Sequence, residues 1–140
     1  MISNTPTDDG GAIDEAMIER VVRAFYGRAR LDPLIGPIFD SMLHDWDTHI
    51  RQICDFWSSA LLKTGRYRGQ PMVAHMPLPV EAPHFDRWLE IFTATARDIC
   101  PPEAAAQFIE RAYRIAESLE LGLAARRQAM GKIIKRRPPG

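Results

Sequence analysis

The chain has 140 residues, the length of one domain, with 18 Lys and Arg against 18 Asp and Glu. Its 46% hydrophobic and 26% charged content is that of a folded soluble protein and excludes a disordered one. A net charge of zero excludes a globally basic nucleic-acid binder. The charge is nonetheless segregated. All 18 acids precede Leu121, and Arg126, Arg127, Lys132, Lys135, Arg136 and Arg137 follow it, leaving a body of net −6 and a tail of net +6.

Two cysteines cannot build a disulfide framework, so Cys54 and Cys100 read as buried thiols in a reducing compartment. The N-terminus lacks the basic and apolar regions of a signal peptide. No apolar run approaches the ~20 residues that span a bilayer. A cytoplasmic protein with no membrane span is expected. Residues 1–11 are polar and carry Gly10-Gly11, which suggests a disordered leader, with the folded domain at 12–125 and a basic, disordered tail at 126–140.

From Ile13 the apolar positions Ile13, Met17, Val21, Ala24 and Phe25 follow helical spacing. Ile18 and Val22 widen the stripe, so this helix is expected to be covered on more than one side. It should stop before Asp32-Pro33, because the residue preceding a proline is pushed out of the α region. Leu34 to Asp40 is too short and proline-broken for another long helix. It reads as a tight corner carrying apolar side chains inward.

The clearest pattern runs from about Asp45 to Leu62. At about 100° per residue, Trp46, His49, Ile50, Ile53, Phe56, Trp57, Ala60 and Leu61 share an arc of roughly 140°. Asp47, Thr48, Arg51, Gln52, Asp55, Ser58 and Ser59 fall on the other side. Lys63 to Gln70 is a loop with two glycines. Pro71 to Pro77 can hold one or two helical turns, opened by Pro71 and stopped by Pro77. A third long helix is expected over about His84 to Ile99, with Phe85, Trp88, Leu89, Phe92, Ala96 and Ile99 inward. Pro101-Pro102-Glu103 opens a fourth, to about Ala125, with a stripe of Phe108, Ala112, Ile115, Ala116, Leu119 and Leu123. Strand-like alternation and internal repeats are absent, and the fold class is all-α.

Few residues offer chemistry. None of His44, His49, His75 and His84 pairs at the i,i+4 spacing of a helical zinc site, and the cysteines lie far apart. Gly-x-Ser-x-Gly is absent. Cys54, at the edge of its apolar arc, reads as a structural thiol. His75 sits near the end of the short proline-bracketed segment, among Met72, Met76 and Leu78. Rigid presentation of one imidazole into apolar space suits an axial metal ligand, although composition alone favours a packed, hydrogen-bonded histidine. His49, inside an apolar arc on another helix, carries the same two readings. Together they could face a flat apolar cofactor between two helices. Tyr26 and Trp88 add polar tips to apolar surroundings, where core packing against a backbone acceptor is the alternative. The basic tail reads as a solvated end.

Several segments, in order, resemble the truncated haemoglobins, specifically group III. They are Phe25-Tyr26; Asp32-Pro33-Leu34-Ile35-Gly36-Pro37-Ile38-Phe39-Asp40; Asp45-Trp46-Asp47 with His49; and Phe56-Trp57-Ser58 with Leu61-Leu62. Thr64-Gly65-Arg66-Tyr67, Gly69-Gln70-Pro71-Met72, His75, and His84 to Leu89 with Phe92 complete the match. It covers roughly residues 13–123. The glycine-pair motifs of the other truncated groups are missing, as group III requires; Gly10-Gly11 precedes the first helix and is not an equivalent.

The resemblance implies a shortened globin fold, a two-over-two helical sandwich around haem b. It implies His75 as the iron ligand. Tyr26, Trp88 and His49 would be the distal residues that meet the gas ligand, with His49 as gate, donor or sixth ligand. Phe39, Ile53, Phe56, Arg66, Tyr67, Met72 and Met76 would contact the cofactor. O₂, CO and NO are the expected ligands. Two donors to a charged acceptor, at about 1.5–3 kcal/mol each, would slow O₂ release by roughly a hundredfold or more. That argues against simple transport and for nitric oxide dioxygenation with an outside reductase. Gas sensing, peroxidase-like activity and a haem-free helical interaction module are the alternatives. The expected state is a monomer or weak dimer with no nucleic-acid partner.

Overall fold

The computed structural model describes residues 12–42, 45–69 and 80–126. The leader, most of the basic tail, His44, and the segment holding Met72, His75 and Met76 lie outside the described residues. Five helices are described: α1 (Glu15–Ala29), α2 (Gly36–Met42), α3 (Trp46–Leu62), α4 (Ala82–Ile99) and α5 (Pro102–Arg126). No strand occurs among the described residues. The pair α1–α3 lies over the pair α4–α5, with α1 bridging to α4. This is the two-over-two sandwich.

Local chemistry explains where each helix starts. Asp14 caps α1 by accepting the Met17 N–H at 2.8 Å, and Asp45 caps α3 by accepting the Thr48 N–H at 3.1 Å. Each satisfies a donor that the first turn leaves orphaned. α4 begins at Ala82, two residues before the expected His84. Pro83 falls in its first turn, where no N–H is needed. His84 Nδ1 accepts the Glu81 N–H at 2.9 Å and closes that turn.

The segment after Asp32 departs from expectation. It forms a seven-residue helix, α2, because Pro37 lies in the first turn and opens it. Asp32 Oδ2 accepts from the N–H groups of Leu34 and Ile35 at 2.9 and 3.0 Å and turns the chain into it. Ile35 is buried and Phe39 packs against the core, but Leu34 is 41% exposed, against the expectation that the apolar side chains of the corner face inward. A Cβ on Gly36 would sit 2.5 Å from the Arg30 carbonyl oxygen, so the close approach of corner and α1 requires glycine.

α1 is covered on two sides, as its wide stripe implies: Met17, Ile18, Val21, Val22, Phe25, Tyr26 and Ala29 are buried. Aromatic rings dominate the centre. Phe92 stacks between Trp57 and Trp88, with centroids 5.1 and 5.3 Å away and planes 8° off parallel in both pairs. Phe92 and Phe108 are fully buried, each stabilising the fold by about 1.5–3 kcal/mol relative to exposure. Ile115, Ile99 and Trp88 are only half-buried.

Two positions, one from the helical wheel and one from the cysteine count, differ from the sequence reading. Ser58, assigned to the outer side of α3, is fully buried. Its hydroxyl donates to Glu15 Oε2 of α1 at 2.7 Å and lies 2.7 Å from Thr64 Oγ1, which satisfies it inside the fold. Cys100 is buried as expected, but Cys54 is only half-buried. Burial, with Glu19 nearby, still pushes the Cys54 thiol up to about 11, which keeps it protonated and inert.

Candidate functional site

Tyr26 lies in the second half of α1, where helical spacing after Val22 turns it toward α3. Its side chain is buried, with 7% exposure for the residue. Burial raises the phenol well above its usual range, so its proton is retained. His49 is one turn into α3. Its Nε2 lies 3.1 Å from Tyr26 Oη, and the ring meets the Tyr26 ring edge-on, centroids 5.2 Å apart. Phe39 of α2 packs against Tyr26 at 5.4 Å and 78°. Three residues expected at one site, from three helices, thus meet around the Tyr26 side chain.

Trp46 completes the cluster, although the sequence placed it in the apolar arc and a matching segment without a site role. Its ring lies 5.6 Å from Tyr26, 5.9 Å from His49 and 6.2 Å from Phe39, all near edge-to-face. The signal was present in the sequence: Trp46 precedes His49 by three residues, which places both on one helix face.

Trp88 joins this cluster through an intermediary. Phe25 contacts Tyr26 at 5.0 Å and Trp88 at 5.6 Å, edge-on in both cases. The indole of Trp88 is held flat on Phe92, so its orientation comes from the central stack. The helix carrying it is tied to the α1–α2 corner by Arg87, whose Nε donates to Asp32 Oδ1 at 2.7 Å.

The remaining expected contacts occupy the other end of α3. Ile53 and Phe56 are half-buried on its apolar arc. Tyr67 packs edge-on against Phe56 at 5.3 Å, and its N–H donates to Ser59 Oγ at 2.8 Å. Burial raises its phenol too. Arg66 turns to Glu15 of α1, with Nη1 3.2 Å from Oε2. Met72, His75 and Met76 lie outside the described residues.

These residues fit a flat apolar cofactor. α3 carries a wide apolar arc, yet within it only Trp57 is fully buried; His49, Ile50, Ile53, Phe56, Ala60 and Leu61 are half-buried. Such a face, with a Tyr–His pair near one end, supplies an apolar wall and a polar point for a small ligand. A surface cleft of about 230 Å³ near Leu61, Lys63, Arg111 and Arg114 does not suit the purpose. Its lining is charged, and it lies about three helical turns from His49. Among the described residues no three His, Cys, Asp or Glu side chains cluster to hold a metal, and no helix is long and apolar enough to cross a membrane.

Residues 10–119 match the family described as bacterial-like globin. The group 3 truncated hemoglobin of Campylobacter jejuni is 30% identical, over 77% of this chain and 89% of that protein. The crystal structure of the group III truncated hemoglobin from Campylobacter jejuni matches with a TM-score of 0.74 at 31% identity, covering 80% of this chain and 92% of that one. Its all-helical fold and these matches make this chain a bacterial-like globin of the group III truncated haemoglobins, a haem family whose ligands are diatomic gases.

Proposed function

We propose that this chain holds haem b with His75 as the residue that would bind its iron, takes O₂ beside Tyr26, and turns over NO to nitrate with electrons from a separate reductase. When bound, the haem supplies an open iron position for the gas and the redox capacity for the reaction. The observation that carries the reading is the pair of buried Tyr26 and half-buried His49, 3.1 Å apart, beside the half-covered apolar face of α3.

The chain's own part is to place protons. Tyr26 keeps its phenolic proton because burial disfavours the phenolate. When His49 carries its proton on Nε2, it donates to Tyr26 Oη and leaves the phenol O–H free for the outer atom of the gas ligand. With the other tautomer, Tyr26 donates to His49 and the ligand loses that donor. Trp88, fixed by the Phe92 stack, supplies the second donor through Nε1. Phe39, Phe25 and Trp46 keep bulk water away from this pair, which strengthens each hydrogen bond. Firm retention of O₂ favours reaction over release. Phe39, Ile53, Phe56, Tyr67, Met72, Met76 and Arg66 would be the residues that hold the macrocycle. His49, able to turn outward, gates access.

The purified protein should show the absorption bands of a five-coordinate ferrous haem after reduction. Addition of NO to its oxygenated form should yield one nitrate per haem and the ferric spectrum. Nitrate formation no faster than in buffer would overturn the dioxygenase reading.

A further inference from the structure

Trp46 opens α3 directly after its cap, Asp45. Its indole meets Tyr26, His49 and Phe39 edge-to-face, the arrangement in which aromatic pairs attract. One face of that indole is covered by a cation: Arg30 Cζ lies 4.0 Å from the ring centroid. Arg30 is the C-cap of α1, one turn beyond Tyr26, and its N–H donates to the Tyr26 carbonyl at 3.0 Å. Its Nε also lies 3.9 Å from Asp40 of α2. One side chain therefore links the ends of α1, α2 and α3 at the rim of the Tyr26–His49 pair.

We infer that Arg30 and Trp46 are positioning residues, a clamp that sets how long His49 stays turned toward Tyr26 and thereby sets the rate at which a gas ligand reaches the pocket. The inference rests on the reading of His49 as the gate. For His49 to swing outward, its ring must leave Tyr26 Oη and move past the Trp46 edge. Trp46 gives way only as far as Arg30, lying over its face, permits. Neither residue need touch the ligand. A guanidinium over a tryptophan at a half-exposed site corresponds to roughly two- to fivefold in an equilibrium.

The test uses the haem-loaded protein and CO association after flash photolysis. Arg30→Met keeps the length of the side chain and removes its charge. It should raise the CO association rate about two- to fivefold. Arg30→Lys, which restores a cation over the ring, should return the rate toward that of the parent. Trp46→Phe, with a weaker face for the cation, should act in the same direction as Arg30→Met. A second readout is independent of ligand kinetics. In the diamagnetic CO form, magnetisation transfer between the Trp46 indole and His49 ring protons should weaken in Arg30→Met and recover in Arg30→Lys. A normal haem spectrum with unchanged CO rates in Arg30→Met and Trp46→Phe would overturn the clamp and leave the gate standing. Failure of Arg30→Lys to restore the rate would also overturn it. Loss of haem binding by the parent, or a CO rate insensitive to His49→Leu, would sink the gate reading and the clamp with it.

Discussion

Tyr26 Oη and His49 Nε2 lie 3.1 Å apart across the packing of α1 on α3, and one proton between them decides what the pocket can donate. Burial holds the phenol in its protonated form. The imidazole tautomer then determines whether that O–H points to the histidine or is left free, and under the proposed function a free O–H serves the ligand.

Removal of the phenol should therefore be felt directly by O₂. Tyr26→Phe is expected to speed O₂ dissociation by about ten- to a hundredfold, since a hydrogen bond to a charged acceptor is worth about 1.5–3 kcal/mol. Trp88→Phe should act in the same direction. The double variant should depart from additivity, because both donors serve one acceptor. Stopped-flow displacement of O₂ by CO measures all three rates, and unchanged rates in both single variants would remove the donor model.

His49→Leu separates gating from donation. A gate lost from the access route changes CO association more than O₂ dissociation. The reverse pattern, a large rise in O₂ dissociation with association untouched, would make His49 a donor. Laser photolysis and O₂ displacement on one preparation decide between them.

His75→Ala should lose most haem affinity, since it removes the side chain proposed to bind the iron. The check is the haem-to-protein ratio and the ferrous spectrum after purification. Retention of a full complement of haem with an unchanged spectrum would reassign the ligand.

Asp32 carries a prediction about stability. Burial by itself would raise its carboxyl, but the Ile35 N–H, the Arg87 guanidinium and the Leu34 N–H outweigh it and hold the group below the usual carboxylate range. A carboxyl depressed in the folded state contributes stability above its unfolded pKa of about 3.9 and loses it as pH falls through the folded value. Asp32→Asn should cost about 1–3 kcal/mol at pH 7, because the amide cannot accept from all three donors. The gap between variant and parent should narrow below about pH 4. Urea unfolding at pH 7 and pH 3 gives the comparison; an equal gap at both pH values would show that the charge contributes nothing.

Much of this protein is written locally. Amphipathic stripes placed α1, α3, α4 and α5, because a helix that packs on one side must repeat its apolar residues at 3.6-residue spacing whatever its partner. Asp14 and Asp45 at helix starts are equally local. The ordered segments were enough to indicate the family. Other features depended on residues distant in the chain. Ser58 looks like a surface residue until Glu15, 43 positions earlier, supplies its acceptor. Asp32-Pro33 marks a helix end, but only Arg87, 55 positions later, makes the Asp32 carboxylate a tie between the corner and α4. Leu34 had the composition of a core residue and was left outside by the turn that Asp32 builds. Trp46 had the spacing of an ordinary core aromatic, and packing of three helices brought it against Tyr26 and His49 beneath Arg30. Periodicity specifies which face of a helix turns inward. Which polar groups meet there depends on how helices cross, and that is set by the fit of whole faces across the core.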